Sequence, residues 1–142
     1  MKGGFSGMCA PTFRAIAGPW ALDAIARYLD SFWISHSQVP PAVRIRLGIA
    51  VNEIAANIVK HATIGIERPV DLQIWAGVRD HDVLVTLADD GVAAPDGLLT
   101  RGMPHELDES GRGIPLARAT LSLLDYQRID GVNIWTLVSE RF

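Results

Sequence analysis

The sequence predicts an α+β fold, a two-layer sandwich whose sheet is mixed or mainly antiparallel rather than doubly wound and parallel. Three observations carry that expectation. Segments follow one another as strand, helix, helix, strand, strand, long loop, helix, strand, strand, so strands outnumber crossovers. Arg79-Asp80-His81-Asp82 and Asp130-Gly131 read as turns between strand-like segments, and Asp-Gly is a strong signal for an antiparallel hairpin. The chain has 142 residues, of which 49% are hydrophobic and 20% charged, enough to fill one core and the length of one domain, 1–142.

Phe13 to Ala17 reads as the first strand, broken by Gly18-Pro19. From Trp20 onward Leu22, Ile25, Leu29, Phe32 and Trp33 recur at helical spacing, and this helix should end near Ser37, before Pro40-Pro41. Pro41 suits the first turn of a second helix that runs to about Ala62. At about 100° per residue, Leu47, Val51, Ile54 and Ile58 share a sector of about 60°, a narrow core stripe. Glu53, Asn57 and His61, spaced i, i+4 and i+8, line the face beside it, so a carboxylate, an amide and an imidazole border the core.

Val70, Leu72, Ile74 and Val78 then alternate with Asp71, Gln73 and Arg79, the period of a half-buried strand, and Val83, Val85 and Leu87 alternate again to Ala88. Asp89 to Ser110 holds Gly91, Gly97, Gly102, Pro95 and Pro104 without periodicity, as a lid or binding loop would. After Gly111-Arg112-Gly113, the segment Ile114 to Leu124 is apolar and helix-like, with Pro115 in its first turn. Tyr126 to Ile129 and Asn133 to Val138 make the closing hairpin.

Composition excludes several functions. Thirteen basic and 16 acidic residues give a net charge of -3 with no block of like charge, unlike a direct nucleic-acid binder. A single cysteine, Cys9, leaves no intramolecular disulfide framework and no Cys-rich zinc site, and His36, His81 and His105 lack metal-ligand spacing. No P-loop or G-x-S-x-G pattern occurs. No apolar run approaches the roughly 18 residues of a membrane span, and none of signal-peptide length follows Lys2, so a cytoplasmic location away from the membrane is expected.

Three short motifs carry the chemistry. An asparagine oxygen such as that of Asn57 is a suitable hard ligand for Mg²⁺, and Glu53 one turn earlier can accept a proton from an attacking hydroxyl or water. Asp89 leaves a strand beside the turn residue Gly91, which lets the backbone come close, and its carboxylate can accept a hydrogen bond from the exocyclic amine of adenine. Gly111 and Gly113 before a helix present N–H groups to phosphate, while Arg112 and Lys60 can add charge or bidentate contacts. Each motif alone has a bland alternative, a solvated helix face or an ordinary turn; their order together is more specific.

Glu53-Ile54-Ala55-Ala56-Asn57-Ile58-Val59-Lys60-His61-Ala62, Asp89-Asp90-Gly91 and Gly111-Arg112-Gly113-Ile114-Pro115-Leu116 resemble the N, G1 and G2 boxes of the GHKL ATP-binding superfamily, and most closely its anti-sigma factor serine kinases. The resemblance spans Phe13 to Val138. It implies the Bergerat-type sandwich with helices on one face of the sheet, ATP and Mg²⁺ as cofactors, Glu53 as catalytic base and Asn57 as the Mg²⁺ ligand. The ATP-binding set it implies is Asn57, Lys60, His61, Asp89, Gly91, Gly111, Arg112, Gly113 and, on the last strand, Thr136. Ala93 stands where the superfamily often has a second glycine, and Pro115 where it has a flexible or apolar residue.

The resemblance implies a serine protein kinase that holds a sigma factor inactive and phosphorylates an anti-sigma-factor antagonist, with a homodimer compatible. The chain shows no phospho-accepting histidine helix pair of the kind a complete histidine kinase carries. Two other readings stay open: a degenerate nucleotide-binding module that sequesters a regulatory partner without kinase activity, and a hydrolase subunit completed by another chain.

Overall fold

In a computed structural model, residues 9–95 and 118–142 are described. The loop and helix expectations for 96–117, with Gly111, Arg112 and Gly113, lie outside them. Strand β1 (Phe13–Ile16) leads into helices α1 (Pro19–Ser35) and α2 (Pro41–Asn57), and a π-helical turn, Ile58–Ala62, ends α2. Strands β2 (Asp71–Val78), β3 (Val83–Asp89), β4 (Leu123–Ile129) and β5 (Val132–Val138) follow. They form a five-stranded sheet in the order β1-β2-β3-β5-β4, and every neighbouring pair is antiparallel. The α+β expectation holds, with a sheet that is wholly rather than mainly antiparallel among the described residues.

Register sorts the side chains into two faces. The pairs Ile74↔Leu87, Ala76↔Val85, Leu87↔Trp135, Val85↔Leu137 and Asp89↔Asn133 share one face. Its apolar members join Ile25 and Leu29 of α1 and Leu47, Val51 and Ile54 of α2 in a single core. Leu47, Ile54, Leu72, Ile74, Leu87 and Leu137 are wholly buried. Truncating a side chain of this kind to alanine costs about 2–5 kcal/mol, depending on how far the site collapses. The turn between β4 and β5 has positive φ at both Asp130 (51°) and Gly131 (80°), the twist a two-residue hairpin needs.

Three expectations shift. The second helix does not continue as an α-helix to Ala62, because its last turn widens to π geometry. The helix expected to reach Leu124 gives way earlier: residues 118–120 are helical, and Leu123 and Leu124 are already paired with Val138 and Leu137 in the hairpin. A short apolar run fits either period, and strand pairing decided it. Gln73, expected on a polar face, is 6% exposed, with its amide nitrogen 3.2 Å from Asp71 Oδ2. No helix among the described residues is long and apolar enough to cross a membrane.

Candidate functional site

A cleft lies where α2 and its π-helical turn meet the ends of β3 and β5. Asn57 and His61 line it on the helical side and Asp89, Asn133 and Trp135 on the sheet side. Val92, Ala94 and Pro95 from the segment after β3 close its rim.

Asp89 is the chemical centre. Pairing with Leu72 and Asn133 carries the last residue of β3 inward, so the carboxylate is wholly buried. Its Oδ1 accepts hydrogen bonds from the Gly91 amide and from Asn133 Nδ2, both at 2.9 Å. Its Oδ2 is buried and has no partner among the described residues. Burial pushes the carboxyl up from 3.8 to about 6, against the two hydrogen bonds that favour the charged form; neighbouring Asp90 raises it further and Arg128 lowers it. Asp90 does a different job: its Oδ1 accepts from the Asp71 amide (2.9 Å) and Arg68 Nη1 (3.2 Å), fastening the end of the sheet.

Gly91 is required by close approach. A Cβ there would lie 2.2 Å from the Ala62 carbonyl oxygen and 2.7 Å from the Ala62 Cβ. The backbone it approaches is thus the π-helical turn, to which the Val92 amide donates at 2.9 Å through the same Ala62 carbonyl. Such turns inside helices recur at functional sites. This one carries His61 and Ala62 on the cleft wall.

Asn57 turns its Nδ2 back to donate to the Glu53 carbonyl oxygen at 2.8 Å, so its amide oxygen is the end left to bind a cation. Glu53, one helical turn earlier, is half-buried and stands outside the cleft lining; Lys60 is exposed and also outside it. The structure therefore brings together Asn57, His61 and Asp89, with Gly91 packed against Ala62. It does not bring Thr136 to the cleft. Strand alternation puts Asn133 and Trp135 on the helix side, and Thr136, paired with Thr86 and Asp125, on the opposite face.

Asn133, Tyr126 and Arg128 are contributors that the sequence reading passed over. The Tyr126 hydroxyl and Arg128 Nη1 donate to Asn133 Oδ1 at 2.5 and 2.8 Å. The signal was available: Asn133, Trp135 and Leu137 are alternate residues of one strand, and an amide on an otherwise apolar face calls for partners.

This fold and cleft define a class. The family model of the histidine kinase-like ATPase domain matches residues 17–138, and the chain belongs to that family. Among solved structures, the histidine kinase domain of the Erythrobacter litoralis EL346 blue-light activated histidine kinase is similar, with a TM-score of 0.58 and 18% identity over 81% of this chain and 60% of that one. A second structure of the EL346 kinase matches 71% of this chain and 31% of its own at 23% identity and a TM-score of 0.57. The Acinetobacter baumannii histidine kinase AdeS matches 90% of this chain and 67% of its own at 15% identity and a TM-score of 0.50. At these identities the likeness is one of fold. The chain spans less than two thirds of both EL346 structures. No curated protein matches.

Proposed function

We propose that the protein binds Mg·ATP in this cleft and is a serine protein kinase that acts as an anti-sigma factor, holding a sigma factor inactive and phosphorylating a serine of an anti-sigma-factor antagonist. Asp89 carries the nucleotide part of this reading. An acceptor oxygen buried without a donor costs about 1–3 kcal/mol, and Asp89 Oδ2 is such an atom at the cleft. Adenine supplies the missing donor through its exocyclic amine. Guanine offers a carbonyl oxygen at that ring position, which a carboxylate repels.

The donor set fits the rest of the ligand. Asn57 offers an amide oxygen, the hard donor Mg²⁺ favours. Bound Mg·ATP supplies the transferable phosphoryl group and the charge that neutralises it. Glu53, one helical turn from Asn57, would take the proton of an incoming hydroxyl, the role that the resemblance of the first motif implies for it. The serine-kinase and sigma-factor parts rest on the resemblance of the three ordered motifs to anti-sigma factor kinases. Ala93, in place of a second glycine, favours the alternative of a binding module without kinase activity.

Incubation of the full chain with labelled ATP, Mg²⁺ and antagonist proteins encoded nearby tests the proposal. Label on a serine of one antagonist, together with capture of a sigma factor by the same chain, is the expected result. Partner capture without transfer would establish the binding module instead.

A further inference from the structure

We propose that Asn133 is a positioning residue: with Tyr126 and Arg128 it ties the chain leaving β3 to the β4–β5 hairpin and turns Asp89 so that one carboxylate oxygen is held by protein and the other is left for a ligand. The use of that free oxygen rests on the nucleotide reading above; the positioning itself does not.

An asparagine amide offers two N–H donors and one oxygen with two lone pairs. Asn133 uses all four. Its Nδ2 donates to Asp89 Oδ1 at 2.9 Å and to the Val92 carbonyl at 2.7 Å. Its Oδ1 accepts from the Tyr126 hydroxyl at 2.5 Å and from Arg128 Nη1 at 2.8 Å. The orientation of the amide follows from its partners. Arg128 can only donate, and the Tyr126 hydroxyl already accepts from the Ala94 amide at 3.0 Å, so its proton goes to Asn133. On the other side stand a carboxylate and a carbonyl, which only accept. A flipped amide would face like with like at every contact.

The same groups fasten the backbone beyond Asp89. Arg128 Nη1 also donates to the Gly91 carbonyl at 3.0 Å. Gly91, Val92 and Ala94 are therefore each bonded to the hairpin by one member of the trio. A serine or alanine at 133 could not span these partners, and an aspartate would set a second carboxylate against Asp89.

The test uses the full chain without nucleotide first. Hydrogen exchange is read at the Ala94 amide, with the Val92 amide, bonded to Ala62, as an internal reference. Carbon-detected NMR reads the titration of the Asp89 carboxyl, which Asp90, Arg128 and the cleft-wall His61 also face. Asn133→Ala should speed Ala94 exchange at least about tenfold and move the Asp89 midpoint upward, since a donor to its charged form is gone. Tyr126→Phe keeps the ring packed on Trp135, centroids 4.6 Å apart, and removes only the hydroxyl. It should speed Ala94 exchange similarly and leave the Asp89 midpoint nearly in place. Wild-type rates and midpoints in both variants would overturn the proposal; if Asn133→Ala fails to fold, Asn133→Ser, which also cannot span these partners, is read in its place, with faster Ala94 exchange and a raised Asp89 midpoint expected and wild-type values of both overturning the proposal. Calorimetry with Mg·ATP follows, with about tenfold weaker binding expected for Asn133→Ala. Wild-type protein that binds no nucleotide would refute the nucleotide reading while the exchange and titration results still stand for the positioning.

Discussion

Asp89 makes its own contribution to stability depend on pH. In the unfolded chain its carboxyl ionises near 3.8, whereas in the folded chain burial delays ionisation to about 6. Between about pH 4 and 6 the native state keeps a proton that the unfolded state has released, so this residue's contribution to stability falls as pH rises through that window. A shift of this size is on the order of 3 kcal/mol at about 1.4 kcal/mol per unit. Asp89→Asn removes the charge. Its melting temperature should therefore gain on wild type as pH is raised from 4 to 7, while Mg·ATP binding at pH 7 weakens tenfold or more. Thermal melts across pH and calorimetry check the two halves. A melting difference that stays constant with pH would refute the burial argument. Glu53 belongs to a separate step: Glu53→Gln should keep nucleotide affinity and lose about 10²–10⁴-fold in phosphoryl transfer, the range of a general base, as measured by single-turnover transfer of label.

Between elements, the π-helical turn packs closely against the segment after β3. Gly91→Ala would drive a methyl group into the Ala62 carbonyl. Overpacking of this kind costs about 1–3 kcal/mol, and it should also break the Val92 to Ala62 hydrogen bond, exposing the Val92 amide to exchange. Urea unfolding and hydrogen exchange read both effects; wild-type stability would show that the segment shifts without cost. Much of this element-level design could be read from sequence. The core stripe Leu47, Val51, Ile54 and Ile58 is buried, and Asp130-Gly131 is the tight turn it resembles. What escaped is what single-residue patterns do not encode. No residue type in Ile58–Ala62 marks the widening of the helix to π geometry. The start of β4 at Leu123 depends on a partner strand rather than on local sequence. Thr136 was placed by analogy with a terminal strand, but only the register, Asp89 opposite Asn133, tells which parity faces the cleft.

At the scale of the whole molecule, an antiparallel sheet and two helices enclose one core, and the cleft opens at its edge between the two layers. A ligand that binds only the native state adds RT ln(1 + [L]/Kd), about 2.7 kcal/mol at one hundred times Kd, so Mg·ATP should raise the melting temperature and a core truncation such as Leu87→Ala should lower it. Hydrogen exchange with and without Mg·ATP should show protection concentrated in residues 91–113, the stretch of sequence from Asp89 to the glycines Gly111 and Gly113. Equal exchange in both states would count against that coupling. The site was legible from sequence as residue types in order, and illegible as a hydrogen-bonded unit, because Asn133, Tyr126 and Arg128 reach Asp89 only through strand pairing. The claim on which the account turns is that the free oxygen of Asp89 recognises adenine. Calorimetric titration of the full chain at pH 7.5 with Mg·ATP and, separately, Mg·GTP measures it: binding of ATP with GTP at least tenfold weaker is the predicted result, and no heat with ATP at millimolar concentration, or equal affinity for both nucleotides, would contradict it.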